Sequence, residues 1–261
     1  MERGRARELV PSTPQRKSTQ CANPVTHGAS LIKHACTILA TPRLRFGVQY
    51  SVMIALIATI LAVLVVLLVS EWGWRKGWLH GEFGRKFVHI LVGSFVAFWP
   101  LYLSWNQIRL LSLAFLVVVI ITTYLNLFHA IHSVQRPTYG EFFFALIVGL
   151  LTFITDSTAV YMAAILQMSL ADGLAAIVGT RYGRENKYHL LGHTKSLAGT
   201  LTFFVVSLAI LVGYNLLAGA SLPVSLILFG ALITAALENI AVLGLDNLVV
   251  PLFVCVLLVW F

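Results

Sequence analysis

Asp172-Gly173 and Lys195-Ser196 bracket the stretch of this 261-residue chain in which reactive residue types are most concentrated. An apolar run ends in Leu170-Ala171-Asp172-Gly173 and continues through Gly179-Thr180-Arg181-Tyr182-Gly183-Arg184 to Lys187. It closes with Gly192-His193-Thr194-Lys195-Ser196-Leu197-Ala198-Gly199-Thr200. A carboxylate binds a hard cation, Lys and Arg hold phosphate, and glycine lets backbone come close to a ligand. All three at a membrane boundary point to phosphate chemistry performed on a lipid.

Each piece also has a plainer reading. Asp172 is followed by Ala175, Ala176 and Gly179, a small-residue face that lets another helix approach. The plain alternative is an interfacial cap or a structural charge pair. Lys195-Ser196, between Gly192 and Gly199, resembles the end of a phosphate loop but is not a Walker A sequence, because Thr194 stands where glycine is required. A helix start capped by Thr194 or Ser196 explains it equally, and such a start still attracts an anion.

Three further clusters stand at predicted span ends. Arg136-Pro137-Thr138-Tyr139-Gly140-Glu141 breaks one helix and leaves Glu141 at the membrane edge, either as a functional carboxylate or as one favoured by the helix dipole. In Gly84-Arg85-Lys86-Phe87-Val88-His89, Arg85 and His89 share a helix face. Arg85 and Lys86 can snorkel to the interface, whereas His89 lies inside the apolar run and calls for a partner or a cavity. Glu238-Asn239 among small residues suggests a buried polar network, and Asp246-Asn247 marks a turn. The other histidines and the three cysteines have no metal-ligand or redox spacing.

The elements that must position these residues are membrane helices. Only 11% of the chain is charged and 59% is hydrophobic, against roughly 25% charged in soluble proteins. Runs of about 20 apolar residues recur from Tyr50 onward, which gives an all-α, polytopic transmembrane bundle of seven or eight spans. They are expected near 50–70, 87–103, 108–128, 142–155, 157–177, 198–217, 222–243 and 247–261, the fourth and fifth as a tight hairpin or a pair that does not fully cross. Residues 50–261 form the membrane domain, and no internal repeat suggests a two-halved transporter.

Charge is distributed unevenly. Residues 1–49 hold eight Lys or Arg against Glu2 and Glu8, so the net charge of +8 comes mostly from this segment. It is read as a flexible basic extension or a targeting segment, or as the product of a start placed too far upstream. Such a distribution gives nucleic-acid binding little support. With eight spans, loops 71–86, 129–141 and 178–197 share one face and carry nine basic residues, which places them on the cytoplasmic or equivalent side of a bacterial inner or organellar membrane.

Taken in order, Arg85-Lys86-x-x-His89, Thr138-Tyr139-Gly140-Glu141, Ala171-Asp172-Gly173-Leu174-Ala175 with Gly179-x-x-Tyr182-Gly183, Lys195-Ser196-x-x-Gly199-Thr200, and Asp246-Asn247 before Val250-Pro251-Leu252 resemble the membrane-embedded polyprenol kinase family. That family includes the phytol, farnesol and dolichol kinases, and the phytol kinase branch is the most similar. The resemblance spans about residues 82–252. It implies transfer of the terminal phosphate of a nucleoside triphosphate, typically CTP, to an isoprenoid alcohol, with Mg2+ as cofactor.

On that reading Asp172 is the main metal-linked carboxylate and Asp246 a second. Lys195, Ser196, Lys187, Arg181, Gly183, Gly199, Arg85 and Lys86 serve the nucleotide phosphates, and Glu141 or His89 takes the proton of the alcohol. The partners are the lipid alcohol, the nucleotide and membrane lipids. A more distant similarity extends to phosphatidate cytidylyltransferases, which would make a CDP-lipid instead. A membrane transporter is the rival of a different class, disfavoured because most charges sit at one boundary.

Overall fold

The computed structural model describes residues 42–79, 81–125 and 139–261. Residues 1–41, and Arg136, Pro137 and Thr138 of the cluster ending in Glu141, lie outside the described residues. Packing divides the chain into Met1–Tyr50 and Ser51–Phe261, and the site residues all belong to the second unit.

The described elements begin with α1 (Pro42–Arg75), α2 (Gly81–Ala97), α3 (Trp105–Tyr124) and α4 (Gly140–Ile154). Helices α5 (Thr158–Leu166) and α6 (Asp172–Tyr182) are joined by a π turn at Gln167–Ala171, so they form one rod of 25 residues. A hairpin of β1 (Lys187–Leu190) and β2 (His193–Ser196) leads into α7 (Leu197–Leu217), α8 (Val224–Ile240) and α9 (Asp246–Trp260). The class is all-α, as the apolar runs predict, with this hairpin as the addition.

Met53–Arg75, Trp105–Tyr124, Thr158–Tyr182 and Leu197–Leu217 are long and apolar enough to cross a membrane. They correspond to four of the expected spans. Gly140–Ile154, Val224–Ile240 and Asp246–Trp260 are apolar but shorter. At 1.5 Å per residue, helices of 15–17 residues reach about 22–25 Å, short of a hydrocarbon core of about 30 Å. They face inward: Ile147, Val148, Leu151, Ala231, Val254 and Cys255 are almost fully buried. The long α1 and α3 do the reverse, leaving Ile54, Leu61, Leu110 and Leu113 more than half exposed, as lipid-facing surfaces do.

Helix packing in a membrane depends on close backbone approach more than on hydrophobic drive. At Gly173 an added Cβ would come within 2.3 Å of Ile90, so α2 lies hard against α6. At Gly199 it would meet the Ala175 carbonyl at 3.0 Å, which fixes the crossing of α7 over α6 that the Ala175–Gly179 face anticipates.

The structure corrects two expectations. The span expected at 87–103 begins earlier, at Gly81, so Arg85, Lys86 and His89 all stand on the first turns of one helix. The expected polar loop 178–197 is the end of α6 followed by the hairpin. Its turn, Leu191-Gly192, has φ of 47° and 79°, the left-handed pair that matches strand twist.

Candidate active site

A carboxylate inside an apolar bundle must find a cation, and Asp172 finds two candidates on α2. Asp172 is 4% exposed and Lys86 5% exposed, and the Lys86 ammonium donates to Asp172 Oδ2. His89, one turn further along α2, places Nε2 3.6 Å from the same oxygen. That nitrogen also lies 3.0 Å from the Met168 carbonyl. A carbonyl only accepts, so Nε2 carries the proton and Nδ1 keeps the lone pair. Met168 sits in the π turn, where the regular helical ladder is interrupted; such bulges recur at functional sites.

Two more ion pairs flank this centre. Arg85 Nη1 lies 3.8 Å from Glu141 Oε1 across the α2–α4 contact. Lys195 Nζ donates to Glu238 Oε1 at 2.6 Å and to the Glu238 carbonyl at 3.1 Å. Burial alone would push the Lys195 ammonium down. Glu238 beside it, together with the charges of Asp246 and Asp172, holds it above its ordinary value of 10.5. Asp246 likewise feels the charges of Asp172, Lys86 and Lys195, so the carboxylates and cations of four helices and the hairpin act as one electrostatic cluster.

The hairpin is pinned where it must be to deliver Lys195. Tyr188 pairs with Lys195 across the strands. Its hydroxyl donates to Asn239 Oδ1 at 2.6 Å and lies 2.5 Å from Thr200 Oγ1. Both strands are thereby tied to Glu238-Asn239 at the end of α8. Tyr188 was not nominated, and its only local signal was the alternation of residues 187–190 and 193–196 about Gly192; Thr200 stood in the Lys195-Ser196-x-x-Gly199-Thr200 motif, and Asn239 in the Glu238-Asn239 pair expected to form a buried polar network.

Other nominated residues take different places. Ser196 is the α7 cap, accepting from the Gly199 amide at 3.2 Å, and Thr194 is not. Gly183 packs on Ser196, where a Cβ would come within 2.3 Å, so Gly183 and Gly199 serve helix contact. Arg181 and Lys187 are exposed, Arg181 lying over the Tyr182 ring, outside the buried cluster. Asn247 Nδ2 donates to the Gly140 carbonyl at 3.0 Å and holds α9 against the start of α4. Asn247 Oδ1 is buried with no partner.

Among the described residues, no group of three or more His, Cys, Asp or Glu side chains could hold a metal ion. Magnesium, however, commonly takes only one or two carboxylates and leaves its other positions to water and phosphate oxygens. Asp172 and Asp246, whose charges act on one another, are carboxylates of the type such an ion takes, and the next residue, Asn247, carries a buried oxygen with no partner.

Comparison with known proteins decides the family. The chain is 34% identical over 209 residues to the phytol kinase of Synechocystis sp. (strain PCC 6803), covering 77% of this chain and 88% of that protein. This chain belongs to the phytol kinase family. Membership makes it a phosphotransferase with an alcohol group as acceptor, and the ordered motifs at 85–89, 138–141, 171–183, 195–200 and 246–252 are where the resemblance was legible. No family model matches the chain, and no solved structure does.

Proposed function

We propose that this protein is an integral membrane kinase, with seven or eight spans, that transfers the terminal phosphate of CTP to an isoprenoid alcohol such as phytol. The observation that carries the reading is the buried Lys86–Asp172 pair with His89 beside it, flanked by Lys195 and Asp246. Phosphoryl transfer asks a protein mainly for positioning and charge neutralisation, and buried paired charges supply both.

In this reading Asp172 and Asp246, with Asn247 Oδ1, hold Mg2+, which when bound would neutralise charge on the phosphates. Lys195 leaves Glu238 to meet the triphosphate, and Lys86 keeps Asp172 ionised and aligned. His89 Nδ1 takes the proton as the alcohol oxygen bonds to the terminal phosphorus. The bond from that phosphorus to its bridging oxygen breaks, and CDP leaves with the electron pair. Glu141 orients Arg85. Lys187 and Arg181, on the exposed side, attract the nucleotide from the cytoplasmic or equivalent compartment.

The test is product analysis on membranes carrying the full chain, with Mg2+ and CTP labelled at its terminal phosphate. Label appearing in phytyl or geranylgeranyl monophosphate is the expected result. Pyrophosphate release with phosphatidate, and no labelled lipid monophosphate, would make the protein a cytidylyltransferase and overturn the reading.

A further inference from the structure

The hairpin carries two histidines that the reaction described above does not use, and the strand register separates them. His189 pairs with Thr194, and His193 pairs with Leu190. Side chains alternate along a strand, so Lys187, His189 and Thr194 share one face, and all three are exposed. Tyr188, Leu190, His193 and Lys195 share the other face, and all four are half-buried. This inner face is the one tied to the charged cluster, through Tyr188 on Asn239 and Lys195 on Glu238. His193 therefore stands on the same face as Lys195, one step nearer the turn. Among the described residues its ring takes part in no hydrogen bond or ion pair.

The strand β2 is graded in depth. Ser196 at its foot is buried and caps α7, whereas Leu191 and Gly192 at the turn are exposed. In a nucleoside triphosphate the terminal phosphate reacts, so that end lies toward Lys195 and the buried carboxylates. The nucleoside then lies toward the exposed end of the hairpin. Two strand residues advance about 6.8 Å, comparable with the separation of the last and first phosphates of an extended triphosphate. His193 is thus spaced to meet the phosphate next to the ribose, where an imidazole N–H donates to a phosphate oxygen. Leu190, directly across the ladder, offers the sugar an apolar surface.

We propose that the inner face of the hairpin is the track along which the nucleotide lies. Lys195 takes the terminal phosphates, His193 donates to the phosphate next to the ribose, and Leu190 packs against the sugar. His189, on the outer face, takes no part. This rests on the kinase reading above and adds to it a binding residue and the direction of the nucleotide.

The experiment compares His193→Ala with His189→Ala in the full chain, with Mg2+ in excess. It reads the KM values for CTP and phytol, and inhibition by CMP and by pyrophosphate. His193→Ala should raise the CTP KM and the CMP inhibition constant at least tenfold, as loss of a hydrogen bond to a charged group requires. Inhibition by pyrophosphate, which fills only the terminal phosphate positions, and the phytol KM should not move. His189→Ala should alter none of the four. His193→Gln, which keeps an N–H donor, should recover most of the CMP affinity. Leu190→Glu sets a carboxylate beside the same phosphate and should weaken CMP by a similar factor, a second test should His193→Ala fail to fold.

A CMP constant untouched by both His193→Ala and Leu190→Glu would overturn the track and leave the kinase reading intact. Equal losses in His193→Ala and His189→Ala would do the same, because the two faces would then be equivalent. A wild-type protein that transfers no phosphate from CTP to an alcohol would remove the kinase reading, and this inference with it.

Discussion

Asp172 was conspicuous in the sequence because an ionisable group in a membrane span costs roughly 2.5–3.5 kcal/mol and must be compensated. What compensates it was not readable. Lys86 lies 86 positions away in the chain, and no local spacing says that α2 crosses α6 at that height. Removing one partner of a buried pair strands the other, so Lys86→Ala should lower stability by about 3–5 kcal/mol, measured by thermal unfolding in detergent. The double variant Lys86→Met with Asp172→Leu should recover most of that stability and none of the activity. Recovery of activity would show that the pair is structural only.

Lys195 makes a prediction of opposite kind, because its shift is upward. A cation whose folded pKa exceeds its unfolded value stabilises the fold fully below that unfolded value, and the contribution disappears as pH rises through the folded one. Thermal stability should therefore hold to about pH 10 and decline above 10.5. The decline should be shallower in Glu238→Gln, where no carboxylate raises Lys195.

Among the elements, helix existence followed from hydropathy, while helix ends did not. Hydropathy starts the second span at Phe87, because Arg85 and Lys86 have the character of interfacial charges. Their side chains are instead satisfied by Glu141 and Asp172, so the helix runs through them. Likewise the hairpin hid behind Leu191, a residue seldom found at positive φ. The small-residue face on α6 was legible, and it carries a test. Gly199→Ala drives a methyl against the Ala175 carbonyl, which is backbone and cannot swing aside. It should cost about 1–3 kcal/mol and lower activity by shifting Lys195 on its hairpin. Tyr188→Phe, which removes both hydroxyl contacts of the hairpin while sparing helix packing, should raise the KM for CTP with little loss of stability.

For the molecule as a whole, the division into a polar end and an apolar body was the most legible feature. Nine basic residues on one predicted face announced it, and the charged cluster gathers at that end. Arg109 belongs to the other end, where it donates to the Thr152 hydroxyl and carbonyl beside the α4–α5 turn. The gathering of four helices and a hairpin about one centre was not legible, since it depends on long-range crossings that periodicity does not encode. Single cysteines at Lys187 and Asp156, in a chain with Cys21, Cys36 and Cys255 replaced by serine, should react with an impermeant maleimide from opposite sides of sealed membranes. Labelling of both from one side would break the alternation of spans on which the bundle rests.

The most direct measurement is the rate of terminal-phosphate transfer from CTP to phytol by Asp172→Asn, in protein shown to be folded by its circular dichroism and unfolding profile. A fall of about 100-fold or more is expected if the buried carboxylate organises the reacting phosphates. Transfer at the wild-type rate would contradict the assignment of this cluster as the catalytic centre.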